Sequence, residues 1–111
     1  MSTDRELLEL ATKAAGHELI YDEAFGVFGY YDEEADWRIF MPLDDDGDAL
    51  RLAVKLELDI LQDVSSITIK KWIDATADTV DLACEQIDGC RLSATRRAIV
   101  RAAAEIGRAM P

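Results

Sequence analysis

The amino-acid sequence predicts an α+β fold in which three helices accompany a mainly antiparallel sheet within a single domain, residues 1–111. Three observations carry this reading. Apolar residues recur at helical spacing near both ends of the chain, and aromatic and β-branched islands separated by acidic turns fill the region between them. The length of 111 residues suits one hydrophobic core, which typically uses about 100–150 residues.

The first helix is predicted over residues 3–15. Thr3-Asp4-Arg5-Glu6 has the form of a capping box, Leu7, Leu8, Leu10, Ala11, Ala14 and Ala15 follow at helical spacing, and Gly16 closes the run. The period then changes. Leu19-Ile20-Tyr21, Phe25 to Tyr31 and Trp37-Arg38-Ile39-Phe40 read as short strands of a meander. Pro42-Leu43 ends that segment, and Asp44-Asp45-Asp46-Gly47-Asp48 offers several caps for the second helix, predicted over 48–57 with Asp48 at its entrance.

Within 50–58 the leucines and Val54 also alternate as a strand would; Leu, Ala, Arg, Lys and Glu are helix formers, and the acidic cap favours the helix. Asp59-Ile60-Leu61, Ser66 to Trp72 and Thr79 to Cys84 are the next strands, and Asp88-Gly89 signals a turn. The third helix is predicted over 93–110 with Ser93 as N-cap, Ile99, Ala102, Ala103, Ile106 and Met110 on one face, and Ala98, Ala102 and Ala103 allowing close approach to a sheet. The expected core is Leu7, Leu10, Leu50, Val54, Ile67, Ile69, Leu82, Ile99 and Ile106.

Charge is unevenly distributed. The net charge is −11, and residues 18–48 hold eleven acids against the single base Arg38, whereas residues 93–111 hold four arginines against Glu105. This acidity disfavours direct binding to nucleic acid or to an anionic membrane, both of which recruit Lys and Arg. A basic protein surface is the natural complement. The amino terminus lacks a signal-peptide layout, and Cys84 and Cys90 are the only cysteines, so a reducing, cytoplasmic setting with buried or half-buried free thiols is expected. The apolar runs are far shorter than the roughly 20 residues that span a bilayer.

The segments LLELATKAAG, PLDDDGDALRLAVKL and ATRRAIVRAAAEIGRAM resemble the small bacteriophage and prophage proteins of the phage ABA-sandwich domain family. In that family a tryptophan and an asparagine commonly precede the central Pro-Leu; here the pair is Phe40-Met41. The resemblance implies a three-layer α-β-α sandwich, a phage or prophage origin and life in the bacterial host cytoplasm, and it supports the helix over 48–57. It implies no reaction.

Candidate sites follow from residue types. Asp44, Asp46 and Asp48 are spaced as a calcium loop begins, yet the position that needs a bidentate Glu is Lys55. His17 is the sole histidine, and the two cysteines lack a second ligand pair, so neither metal nor cofactor is expected. No phosphate-binding loop, dinucleotide fingerprint or nucleophile elbow is present, and no catalytic residue is assigned. The expected binding residues are Asp44, Asp45, Asp46 and Asp48 of the acidic run, Trp37 and Trp72 as aromatic anchors, and Arg97 and Arg101 on the last helix.

The expected function is non-enzymatic. Clustered carboxylates imitate a phosphate path, so a small accessory protein would occupy the basic groove of a host factor or defence complex, in the manner of nucleic-acid mimicry by anti-CRISPR proteins. The alternatives are a sponge for a nucleotide signal, held by Arg97, Arg101 and Trp72, and a homo-oligomeric structural protein.

Overall fold

In the computed structural model, which describes residues 3–72 and 79–111, the order is α1 (Asp4–Ala14), β1 (Ile20–Asp22), β2 (Val27–Tyr31), β3 (Trp37–Ile39), α2 (Asp46–Lys55), β4 (Leu58–Gln62), β5 (Ser66–Trp72), β6 (Thr79–Gln86) and α3 (Arg91–Ala109). The fold is an α+β sandwich whose strands pair antiparallel. They form two three-stranded sheets, β1-β2-β3 and β4-β5-β6, with α2 between them in the chain.

Local chemistry sets the helix ends. The Thr3 hydroxyl accepts from the Glu6 amide at 3.1 Å. At the other end of α1 the Gly16 amide donates to the Lys13 carbonyl and the His17 amide to the Thr12 carbonyl, the paired bonds of a Schellman motif. α2 starts at Asp46 with Asp45 as its cap, accepting from the Asp48 amide at 2.8 Å, so Asp48 is not the cap. α3 is capped by the Cys90 sulfur, which accepts from the Ser93 amide, so the helix begins before the predicted Ser93.

The core joins Leu7, Leu8 and Ala11 of α1, Ala49, Leu52 and Ala53 of α2, Ile67 and Ile69 of β5, Ala83 of β6, Phe40, and the alanine-rich face of α3 with Ile99 and Val100. Of the expected core, Leu50 and Val54 are exposed at 58% and 68%. The helix turns about 100° per residue, so the face through Ala49, Leu52 and Ala53 leaves positions 50 and 54 on the opposite side. Leu10, Leu82 and Ile106 are half-buried. Leu82 falls at a β-bulge: Ile69 pairs with Ala83 and Lys70 with Asp81, leaving Leu82 without an opposite residue.

α3 packs on α1, α2, β5 and β6. Its small residues were expected to approach a sheet, and α3 does pack on β5 and β6 with Ala98, Ala102 and Ala103 buried; at Gly107 it also comes close to α1. A Cβ at Gly107 would lie 2.8 Å from the Leu10 carbonyl carbon and closer still to its oxygen. Arg97 meets Asp4 at 3.0 Å and Lys13 donates to the Met110 carbonyl at 3.1 Å, so α1 and α3 run in the same direction. In the other sheet Gly29 leaves room for Trp37, whose ring carbon would be 2.5 Å from a Cβ there.

Candidate functional site

A cleft of about 780 Å³ opens where the carboxyl end of α1, the β2–β3 hairpin and α2 meet. Each wall follows from local folding. The Schellman turn after α1 sets the His17 ring flat against Tyr30 of β2, centroids 4.1 Å apart at 11°. Phe40 closes on the same tyrosine edge-on at 5.8 Å. Trp37 also lines the cleft, but its ring lies over Gly29 and edge-on to Tyr31, on the opposite face of the strand pair from Tyr30.

Two ion pairs frame this aromatic centre. The β2–β3 turn is built on Asp32: its Oδ1 accepts from the Glu34 and Asp36 amides at 2.9 and 3.0 Å, and its Oδ2 accepts from Arg38 Nε at 2.8 Å. On α2, Asp48 is buried; its Oδ2 accepts from the Met41 amide at 2.8 Å and its Oδ1 from Arg51 Nη2 at 2.6 Å. Asp48 thereby ties the chain after β3 to α2. Lys55 lies one turn beyond Arg51, exposed, with no ion pair to a described residue. Glu33 stands at the rim, its Oε1 3.9 Å from His17 Nε2.

Electrostatics follow this geometry. Burial raises the Tyr30 phenol above its ordinary value; Asp48 adds to the rise, and Arg38 opposes it. The hydrogen bond from Arg38, aided by the turn amides, holds the Asp32 carboxyl below the usual aspartate range. A carboxyl depressed in the folded state binds protons more readily once unfolded, so its stabilisation is complete above the ordinary aspartate value and disappears as pH falls through the lowered one. Asp32→Asn keeps an acceptor for the turn amides and removes the charge. Its melting temperature is expected to lie below that of the wild type at neutral pH, with the gap closing in strong acid. A gap unchanged from pH 7 to pH 2 would show that the charge of Asp32 does not stabilise the hairpin.

The structure brings two of the expected binding residues, Trp37 and Asp48, into this cleft, with Asp45 3.8 Å from Arg51 at its edge. The others lie elsewhere. Asp46 pairs with Arg96 of α3 at 2.6 Å, and Asp44 is exposed on the turn before α2. Arg97 and Arg101 share Glu85, and Arg97 also reaches Asp4, so both arginines are partnered within the fold. Trp72 is half exposed at the end of β5 and takes no part in the cleft. Cys84 and Cys90 are both exposed, against the expectation of buried thiols. Among the described residues, no three imidazole, thiol or carboxylate side chains converge to hold a metal ion. No described helix is long and apolar enough to cross a membrane.

No family model, curated protein or solved structure matches this chain.

Sequence reasoning missed Tyr30, Arg38 and Arg51. Asp48 and Arg51 are three apart on a helix, a spacing that places opposite charges side by side, and that signal was readable. Asp32 and Arg38 close a hairpin, which their sequence distance alone does not announce. The stack of Tyr30 on His17 carried no local signal at all.

Proposed function

We propose that this chain is a non-enzymatic small-molecule-binding protein whose ligand occupies the cleft between α1, α2 and the β1-β2-β3 sheet. The observation that carries the reading is convergence. Side chains from three separate elements surround one aromatic centre in a space of about 780 Å³, within the roughly 300–1,000 Å³ of small-molecule sites. The non-enzymatic part is supported by the carboxylates of Asp32 and Asp48, which are committed to holding a turn and a loop in place. A phage or prophage origin and a cytoplasmic setting are proposed on the resemblance of the three quoted segments. Nuclear magnetic resonance of the labelled protein against a small fragment library tests the reading. Bound fragments should shift the amides of Tyr30, Arg38 and Arg51 together; binders that shift only distant amides, or no binders, would refute it.

A second reading, contact with another protein, is favoured by a different surface. Leu50 and Val54 on the outer side of α2 are exposed, and Leu50 and Leu92 flank a small apolar groove that runs between α2, β4 and the start of α3. The acidic run is the weaker candidate for such contact, since Asp45 caps α2, Asp46 is paired and Asp48 is buried. Sedimentation of the wild type and of Leu50→Ser across concentration would expose self-association through this surface.

A further inference from the structure

Resting on the cleft as the ligand site, we propose that its ligand is a small organic anion, a carboxylate or a phosphate, received by the unused donors of Arg38, Arg51, Lys55 and Tyr30. Formal charge does not reveal this preference. Three cations face three acids across the cleft, so it looks neutral. Hydrogen-bonding capacity is unequal.

The acceptors are largely spent. Every carboxylate oxygen of Asp32 and Asp48 already accepts from the protein, through the Glu34, Asp36 and Met41 amides and the two arginines. Of about four lone-pair sites on each carboxylate, Asp32 has used three and the buried Asp48 two, and Glu33, at the exposed rim, accepts no hydrogen bond from a described residue. The donors are mostly unspent. Arg38 uses Nε alone, leaving both terminal amino groups, and Arg51 uses only Nη2. The Lys55 ammonium and the Tyr30 hydroxyl make no hydrogen bond to a described residue. A guanidinium carries five donors and no acceptor, so what remains open in this cleft is a set of N–H and O–H groups, most of them cationic. Charge-assisted bonds to an anion are about twice as strong as neutral ones. A cationic ligand would find fewer open groups than an anion does: Glu33 at the rim and the remaining lone pairs of carboxylates already bonded to the protein.

The acidity of the whole chain does not reverse this. Its field is screened beyond about 8–10 Å at physiological salt, whereas the cleft donors act on a ligand at contact. The aromatic pair of Tyr30 and Phe40 accounts for the organic part: it gives a ring or chain an apolar surface beside the donors.

The test uses four probes of one size, benzoate, phenyl phosphate, benzyl alcohol and benzylamine, titrated into the labelled full chain while the amides around Tyr30, Arg38 and Arg51 are followed. At least one of the two anions should bind about tenfold or more tighter than the alcohol, and the tighter anion identifies the group, carboxylate or phosphate. Lys55→Gln should weaken anion binding roughly two- to fivefold, the scale of one exposed charge contact, and weaken alcohol binding less, with the protein still folded by thermal melt. Tyr30→Phe, which keeps the ring stack, should also weaken the anion. Equal binding of anion and alcohol, tighter binding of the amine, or anion binding indifferent to both substitutions would overturn the inference while the cleft remained a small-molecule site. Absence of any shift at the cleft amides with all four probes would overturn the inference and the cleft reading together.

Discussion

Gly107→Ala is expected to destabilise the protein by about 1–3 kcal/mol, the usual cost of forcing an extra group into a packed interior. The sign makes the result diagnostic. In an exposed helix interior the same change stabilises, by up to about 1 kcal/mol, because alanine loses less backbone freedom on folding. Here the new methyl would meet the Leu10 carbonyl, whose carbon lies 2.8 Å from the site of the Cβ. That carbonyl belongs to the backbone of α1 and cannot swing aside as a side chain would, so α1 and α3 must separate along their shared contact. For a domain of this size each kcal/mol corresponds to about 4–8 °C in melting temperature, which calorimetry resolves easily. A melt equal to or above that of the wild type would mean that the two helices do not touch at Gly107.

The second large effect is expected from Ile99→Ala, and its value lies in comparison with Leu50→Ala. Ile99 is 2% exposed in the face of α3 that covers the core, and truncation of such a residue costs about 2–5 kcal/mol through lost burial and the cavity left behind. Leu50 carries a side chain of equal size at 58% exposure, so its truncation should stay within about half a kilocalorie, as surface changes do. Urea denaturation of both variants separates them. Similar losses at the two positions would mean that α2 presents its other side to the core.

That contrast marks how far the sequence could be read. α1 was legible because a capping box, a helical stripe and a closing glycine agree within a dozen or so residues, and α3 because its apolar stripe persists along a 19-residue helix. α2 was legible as a helix from composition, but its buried side was not: alternating leucines satisfy a strand pattern and a helix pattern at once, and Leu50 and Val54 were drawn inward by the wrong one. Thr3 caps α1 as predicted, whereas the caps of α2 and α3 lie three residues before the predicted Asp48 and Ser93; for α2, Asp45, Asp46 and Asp48 are all competent caps and the choice depends on where Arg51, Arg96 and the Met41 amide stand. The division into two sheets, and the cleft that lies beside one of them, depend on contacts between elements distant in sequence. Single acids such as Asp32 and Asp48 look alike in a list of residues, whereas their hydrogen bonds make one a turn centre and the other a buried tie.

The position of α3 has a consequence for how the protein comes into being. The helix that touches α1, α2, β5 and β6 is synthesised after all of them. At the roughly 5–20 residues per second of translation, Leu7, Leu8 and Ala11 wait on the order of 5–20 s before α3 is made to cover them. Through that interval the nascent chain carries uncovered apolar faces with no finished core, the state in which neighbouring chains aggregate. The eleven acids and single base of residues 18–48 leave the ribosome early in the same interval, and like charge of that density keeps unfinished chains apart. The acidity of this protein therefore favours solubility while its apolar faces wait for α3.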